Sequence, residues 1–252
     1  MLKTEHFGKC LLIKTKKRIL VAGDLHIGYE ESLEKSGAFV GRKMFGELIA
    51  EFNLIFAKIG KVDEIILLGD LKHDFSKLTI QERQELNKLF NYLLFHCKKI
   101  IITLGNHDNY LLNVDLKREI EVKDVYIDEE VCFFHGDRDF AEIRDKKIKC
   151  WVLGHFHPAI LLGEKKGAKC EKYKCFLEGN FEEKRVIILP SFFEGSEGSD
   201  FEESRMKMPW KFNLKNFKVL IVGENLEVLD FGKLKSLQSS RALQKKKRFI
   251  SF

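Results

Sequence analysis

The segment Ile19-Leu20-Val21-Ala22-Gly23-Asp24-Leu25-His26 joins an apolar run to a short polar cluster. The same arrangement recurs at four later points, where each apolar run also ends in a polar cluster. The five clusters are Gly23–His26, Gly69-Asp70, Gly105–Asp108, His135–Asp137 and Gly154–His157. Continuous runs of β-branched and aromatic residues are typical of strands covered on both faces. Because ligands of open α/β sheets bind beyond the carboxyl ends of strands, we expect these clusters to meet at one rim.

The clusters carry oxygen and imidazole groups, which are ligands for divalent cations. Together they supply enough ligands for two cations side by side, and paired metals are suited to attack on phosphate esters. Since the clusters contain no thiolate, we expect Mn²⁺, with Fe, Zn²⁺ or Ni²⁺ as alternatives, rather than Cu(I) or an iron–sulfur cluster. Six cysteines are present without a C-x-x-C pair. We interpret Cys170 and Cys175 as reduced structural thiols, with metal binding or pairing as the alternative.

Length and composition indicate one sizeable globular domain. The chain has 252 residues, of which 44% are hydrophobic and 33% are charged. No apolar stretch approaches the roughly 20 residues that span a bilayer, and the first ten residues lack the apolar core of a signal peptide. We therefore expect a cytoplasmic protein without a membrane partner.

The net charge of +6 arises from the C-terminal end of the chain. Residues 233–252 hold seven basic side chains and no acidic one, which leaves the remainder at −1. We therefore predict a catalytic domain over residues 1–232 and a basic tail over residues 233–252. The tail also contains Phe249 and Phe252, so it could bind a nucleic-acid backbone and stack on bases; a mobile solvated terminus is the alternative.

Helical spacing of apolar residues predicts helices from about Lys43 to Ile59 and from about Ile80 to His96. Thr79 and Glu82 form the capping-box pattern at the start of the second helix. Closely spaced short strands follow Leu104, which indicates an α/β first half and a more antiparallel second half. The segments Tyr29–Val40 and Ser191–Pro209 have loop-like composition.

The five clusters resemble the signature of the calcineurin-like metallophosphoesterase superfamily, in which D-x-H, G-D, G-N-H-D, a lone His and G-H-x-H follow one another. The resemblance implies an α/β fold, a four-layer α-β-β-α sandwich of two mixed β-sheets flanked by helices. Gly23–Glu30, Gly69–Phe75 and Leu189–Glu203 also resemble archaeal phosphoesterases similar to ligase-associated DNA-damage-response endonucleases and, more distantly, SbcD-type nucleases. The motifs of phosphoprotein phosphatases and purple acid phosphatases are absent after Gly69-Asp70.

The resemblance assigns metal ligands position by position. Asp24, His26 and His157 match the ligands of a first metal. Asn106, His135 and His155 match those of a second. Asp70 matches the carboxylate that bridges both, and the water between the metals would become a hydroxide that attacks phosphorus.

Further residues take catalytic or substrate-binding roles in this interpretation. His107 matches the catalytic histidine that faces the leaving-group oxygen, and Asp108 would orient its ring, with a turn residue as the alternative. His73, Arg42 and Lys72 are candidates for contact with the substrate, each weighed against an ordinary exposed side chain. Asp137 is expected to support its loop, and His6 and His96 are expected to be structural.

Three functions are compatible with the sequence. The first is a dinuclear-metal-dependent phosphodiesterase or nuclease that hydrolyses nucleic acid and has a DNA-repair protein as partner. The second is a phosphatase or phosphodiesterase for a small nucleotide or metabolite. The third is a metal-stabilised binding subunit, against which the intact His107 argues. The sequence leaves the oligomeric state open.

Overall fold

The computed structural model describes residues 2–38, 40–75, 78–111, 116–162, 171–200 and 208–237. These residues form two mixed β-sheets, three α-helices and a further helical turn at residues 234–237. The helices are α1 (Tyr29–Lys35), α2 (Met44–Ile59) and α3 (Ile80–His96). The first sheet contains β1 (Lys3–Phe7), β2 (Cys10–Lys14), β3 (Arg18–Ala22), β4 (Glu64–Leu67), β5 (Lys99–Thr103) and β6 (Ile120–Lys123), in that spatial order.

The second sheet is built from the remaining nine strands. They are β7 (Val125–Asp128), β8 (Val131–Phe134), β9 (Cys150–Leu153), β10 (Pro158–Leu162), β11 (Glu171–Phe181), β12 (Lys184–Ile188), β13 (Ser199–Asp200), β14 (Lys218–Val222) and β15 (Val228–Lys233). The spatial order is β13-β10-β11-β12-β9-β8-β7, and β14 pairs with β11 and β15. Strands β3 to β6 run parallel in the first sheet, and β8, β9 and β12 run parallel in the second.

Three apolar layers hold this sandwich together. Alternate residues of the first sheet, such as Leu20 and Ile65, pack against α2 and α3. The opposite face, which includes Val21 and Ile66, packs between the two sheets. The outer face of the second sheet packs against Trp210 and other residues of irregular segments. The predicted sandwich of two mixed sheets flanked by helices is confirmed; among the described residues, its fourth layer contains short 3₁₀ turns and the helical turn at residues 234–237.

Most of the predicted elements are present. The second predicted helix begins at the capping box, in which the Glu82 N–H donates to the Thr79 hydroxyl and the Thr79 N–H donates to the Glu82 carboxylate. A short connection at residues 223–227 joins the antiparallel strands β14 and β15. The structure also contains β1, β10 and β13, which the sequence pattern does not predict.

Two predictions about the chain need correction. The segment Tyr29–Val40 is not a loop throughout, because Tyr29–Lys35 forms α1 after Gly28 adopts a left-handed conformation with φ of 90°. The packed domain extends beyond residue 232, because Leu234 is buried in the core and its N–H donates to the Phe217 carbonyl. Residues 201–207 of the predicted loop, Cys170, and residues 238–252 of the predicted tail lie outside the described residues.

Candidate metal centre

The parallel strands of both sheets end at one rim, as the sequence predicts. Asp24 follows β3, Asp70 follows β4 and Asn106 follows β5, while His135 and His155 follow β8 and β9 of the second sheet. Backbone hydrogen bonds join the loops, because the Asp24 N–H donates to the Gly69 carbonyl and the His26 N–H to the Asp70 carbonyl. The polar clusters of five separate strands therefore converge.

Two groups of side chains at this rim are arranged as cation sites. In the first group, one ligand atom each of Asp24, His26, Asp70 and His157 lies within 4.8 Å of the others. In the second group, Asp70, His135 and His155 satisfy the same distance. Asp70 belongs to both groups, so its carboxylate lies between them.

Asn106 lies beside the second group. Its Oδ1 atom is 3.3 Å from the Nε2 atom of His135, which in turn is 3.0 Å from the Nδ1 atom of His155. The other ring nitrogen of His135 donates to the Leu68 carbonyl at 2.7 Å. This hydrogen bond points Nε2 of His135 toward Asp70, whose Oδ2 atom is 3.3 Å away. All seven residues that the resemblance assigned as ligands thus lie together.

The backbone at these residues is unusual. Five of the seven candidate ligands have positive φ angles, in the left-handed region that non-glycine residues seldom adopt. They are Asp24 (57°), His26 (46°), Asp70 (50°), His155 (67°) and His157 (44°). Such conformations cost about 1–3 kcal/mol each and are concentrated at functional sites. The loops therefore carry strain that points the side chains inward.

Two glycines allow the loops to approach the carboxylates closely. A side chain at Gly154 would place its Cβ atom 2.6 Å from an oxygen of Asp24, and one at Gly105 would collide with Asp70. Glycine at these positions therefore leaves space in which the carboxylates can accept other partners. Because Gly154 has no side chain, the N–H of the next residue, His155, can approach Asp24 and donates to its carboxylate at 3.1 Å.

The electrostatics of the two groups suit cation binding. Although burial raises it, hydrogen bonds from His135 and from the His107 N–H hold the pKa of Asp70 below its ordinary value, so this side chain is a carboxylate. Burial lowers the pKa of His26 to about 3, which leaves its ring neutral. Burial also opposes a charge on His135, but Asp70 raises the pKa of His135 to about 10. A positive charge is therefore favoured beside Asp70.

Unpaired nitrogen atoms provide a further test of the fit to metal ions. The Nδ1 atoms of His26 and His73 are buried and neither donate nor accept a hydrogen bond, whereas the Nε2 atom of His157 lies 3.1 Å from the Oδ1 atom of Asp24. Buried polar atoms are normally paired, so unpaired ones at a carboxylate-rich rim indicate a missing partner. Carboxylate, amide and imidazole ligands without thiolate fit a pair of divalent cations.

His107 lies at the edge of the two groups, as predicted. Its backbone N–H donates to Asp70 at 2.9 Å, and its Nε2 atom is 4.0 Å from the Oδ2 atom of Asp70. Its Nδ1 atom is hydrogen-bonded to the His73 carbonyl. With His26 and His73, His107 also forms a third group of imidazoles within 4.8 Å, which contains no carboxylate.

The expected contact between Asp108 and His107 is not found. The buried carboxylate of Asp108 accepts hydrogen bonds from the backbone N–H groups of Leu71 at 2.8 Å and Gly105 at 2.9 Å. Burial raises the pKa of Asp108 to about 6. Asp108 therefore ties the Asp70 and Asn106 loops together, and the His73 carbonyl orients the ring of His107 instead.

The three candidates for substrate contact differ in position. The ring of His73 lies at the site, 5.5 Å from the ring of His26 and 5.7 Å from that of His107. Lys72 was a candidate for phosphate binding, with an ordinary exposed side chain as the alternative, but it is fully buried and its ammonium donates to the Asp74 carbonyl. Arg42 is exposed and forms a two-pronged ion pair with Glu34. The side chain of Asp137 lies 3.6 Å from the Nε atom of Arg138.

Aromatic residues that the sequence analysis did not single out surround the histidines. Tyr29 and Phe193 contact each other and the ring of His73, and Phe193 also lies 5.3 Å from the ring of His26. Phe75 packs against His107. The only sequence signal for these residues was their nearness along the chain to a cluster or to a loop-like segment.

The segment after β12 is held against the first cluster. The N–H groups of Phe192 and Phe193 donate to the carbonyls of Gly23 and Asp24. The ammonium of Lys174 donates to the carbonyls of Ser191, at 3.0 Å, and Phe193. Burial lowers the pKa of Lys174 to about 8. Lys174 therefore fixes the position of Phe193 beside His26.

Comparison with known proteins agrees with this geometry. Residues 17–159, more than half of the chain, match the family model described as calcineurin-like phosphoesterase. The chain belongs to the calcineurin-like phosphoesterase family. Members of this family hydrolyse phosphoesters with divalent metals, and the matched range contains all seven candidate ligands. No curated protein sequence matches the chain.

Solved structures that match the chain include two of low sequence identity. The nuclease MPE of Pseudomonas putida is 18% identical, with a TM-score of 0.54, over 92% of this chain and 100% of that one. Wild-type Vps29 from Entamoeba histolytica, complexed with zinc, is 11% identical, with a TM-score of 0.38, over 85% of this chain and 99% of that one. The similarity to the nuclease structure supports the two-sheet fold.

Within the described ranges, no helix has both the length and the apolar character that crossing a bilayer requires.

Proposed function

We propose that this phosphoesterase is a dinuclear phosphodiesterase that cleaves nucleic acid. The observation that supports a dinuclear site is the pair of ligand groups that share Asp70. Asp24, His26 and His157 would complete the first site, and Asn106, His135 and His155 the second. When bound, two divalent cations supply the positive charge that attracts a phosphodiester and the Lewis acidity that makes water nucleophilic near neutral pH.

His107 is the residue that we assign to the leaving group. Its Nδ1 atom is hydrogen-bonded to the His73 carbonyl, so the Nδ1–H donates and the Nε2 atom faces the Asp70 side of the site. A protonated ring can transfer its Nε2 proton to the leaving-group oxygen as the P–O bond breaks. The Asp70 carboxylate accepts from the His107 backbone and keeps the acid next to both cation groups.

Three observations favour a nucleic acid over a small metabolite. A solved structure that matches 92% of this chain is that of a nuclease. Exposed Phe75 beside His107 offers a surface on which a base can stack. The C-terminal residues 238–252 carry five basic side chains and no acidic one. Each supports binding of a polyanion with planar bases.

A substrate panel at saturating Mn²⁺ tests this proposal. Single- and double-stranded DNA and RNA, a cyclic nucleotide, a simple chromogenic diester and a simple monoester should be compared at equal concentration. We expect the highest kcat/KM on a nucleic acid and measurable hydrolysis of the chromogenic diester. Hydrolysis confined to the monoester or to small nucleotides would support the metabolite alternative, and a lack of any turnover would support a binding subunit.

Removal of the basic tail should weaken nucleic-acid binding without changing the chemistry. The deletion should cover residues 238–252, because Leu234 is part of the packed core. Each phosphate contact that is lost should reduce the slope of log affinity against log salt by about 0.7–0.9. The rate on the small chromogenic diester should stay the same, because no candidate ligand lies in the deleted segment.

Two matched variants separate charge from stacking in the tail. Replacing Arg241, Lys245, Lys246, Lys247 and Arg248 by Gln should reproduce the lower salt slope, while replacing Phe249 and Phe252 by Ala should leave that slope intact. The measurement is fluorescence anisotropy of labelled DNA or RNA at several salt concentrations. An unaltered slope after truncation would contradict a role of the tail in binding the backbone.

A further inference from the structure

Phe75 lies at the edge of the candidate site in an unusual environment. Its ring contacts that of His107, with the centroids 3.7 Å apart and the planes tilted by 32°. In spite of this contact, Phe75 is 56% exposed, whereas Phe193 on the other side of the site is 6% exposed. One face of the Phe75 ring is therefore available beside the residue assigned to the leaving group.

The segment that carries Phe75 is held firmly on its N-terminal side. The Asp74 N–H donates to the buried carboxylate of Glu82 at 3.3 Å, and the Asp74 carbonyl accepts from the ammonium of Lys72. The His73 carbonyl accepts from the ring of His107. These contacts hold the backbone before Phe75, and its ring rests against that of His107, so less conformational entropy is lost when a ligand stacks on it.

We propose that Phe75 is a stacking platform for the nucleobase on the leaving-group side of the scissile phosphate; this inference rests on the proposed phosphodiesterase function. His107 transfers its proton to the leaving oxygen, so the nucleoside that departs lies on the His107 side of phosphorus. The ring in contact with His107 on that side is Phe75. A phenyl ring offers a π-face and no hydrogen bond, so the platform accepts any of the bases.

A purely structural role explains the position less well. A side chain that is more than half exposed contributes little apolar burial, and the described core clusters do not include Phe75. Isolated exposed apolar residues are common, which is why the location decides the interpretation. Phe95 is a comparably exposed aromatic residue that does not lie at the site. It is 68% exposed on α3, and the ammonium of Lys61 lies over its ring.

The test uses two dinucleotides that differ in one base. Both have the same scissile phosphate, and one has an abasic tetrahydrofuran in place of the leaving-side nucleoside. Stacking on an aromatic side chain is worth a roughly 5- to 150-fold change per base. We expect the wild-type kcat/KM to favour the complete dinucleotide by a factor in this range, and Phe75→Ala to reduce the factor to about 1.

Matched variants and a second readout make the result specific. Phe75→Trp should keep the preference, and Phe95→Ala should leave it unchanged. An abasic position on the opposite side of the phosphate should affect wild type and Phe75→Ala equally. A dinucleotide with 2-aminopurine on the leaving side should lose fluorescence on binding to the protein, and should lose much less on binding to Phe75→Ala.

The outcomes distinguish this inference from the function on which it rests. If Phe75→Ala slows the cleavage of both dinucleotides by the same factor and fluorescence quenching persists, the stacking role is overturned. Phe75 then only holds the ring of His107 in place. In that case the dinucleotides are still cleaved and the proposed phosphodiesterase stands. If wild type cleaves neither dinucleotide nor longer DNA or RNA but hydrolyses a monoester, both proposals are overturned.

Discussion

Replacing Asp70 by Asn should reduce the metal content of this phosphoesterase from two ions to fewer than one and bring hydrolysis to background. Asp70 is the residue that belongs to both ligand groups, so the substitution removes a negative charge from each. An amide carries no charge, so the variant also loses the strong interactions of the Asp70 carboxylate with His135 and with the His107 N–H. Elemental analysis after equilibration with Mn²⁺ measures the ions per chain, and the chromogenic diester measures activity.

Two carboxylate variants serve as controls for Asp70→Asn. Asp24→Asn should lose one ion, because Asp24 belongs to the first group alone. Asp137→Asn should keep two ions, because Asp137 lies beside Arg138 and belongs to neither group. Wild-type protein that holds no more than one ion at saturating Mn²⁺ would contradict the dinuclear site.

Thermal unfolding separates loss of metal from loss of fold. Ligand that binds only the native state stabilises it, by about 2.7 kcal/mol at a concentration of 100 Kd. Mn²⁺ should therefore raise the Tm of wild type and of Asp137→Asn, and should have little effect on Asp70→Asn. Without added metal, Asp70→Asn should remain folded. The apolar core lies between the two sheets and on their outer faces, away from the rim.

The parts of the fold predicted from sequence are those with strong local signals. The helix Ile80–His96 combines apolar periodicity with a capping box, and both are present in the structure. The apolar runs before the clusters became parallel strands because both faces of each strand are covered. Parallel pairing then placed the clusters at one rim, and this placement required no prediction of the loops.

The elements that escaped prediction have weak local signals. Helix α1 is seven residues long and has Tyr29 and Leu33 as its apolar positions, which are too few to reveal a period. Strand β1 is largely polar and lies at the edge of its sheet. Strand β10 begins with Pro158 directly after the fifth cluster, and a proline is compatible with the first position of a strand.

Within the site, residue types and their order were predictable, but contacts between loops were not. The hydrogen bond from the Leu71 N–H to Asp108 joins residues 37 positions apart. No local pattern distinguishes such a carboxylate from one that orients a histidine. The burial of Lys72 likewise depends on how its loop packs, whereas lysine as a residue type is normally exposed. The metal-ligand roles themselves stay predictions until ions are measured.

Replacing His107 by Ala should leave two metal ions in place and lower turnover by roughly 10²–10⁴-fold, the usual contribution of a general acid. The loss should be smallest for diesters with a good leaving group, because an oxygen that departs readily as an anion needs little protonation. The measurement is kcat for a series of diesters of graded leaving-group pKa, together with elemental analysis of the same samples. His96→Ala is the matched control, because His96 stacks on Phe56 outside the rim.

The metal content of His107→Ala decides between the two arrangements available to this ring. If His107 belongs to the imidazole group with His26 and His73, its removal should cost one bound ion. If His107 acts on the leaving group, both ions should remain and the rate should become more sensitive to leaving-group pKa. Equal losses across the diester series with full metal content would contradict the acid role, because removal of a proton donor must penalise poor leaving groups most.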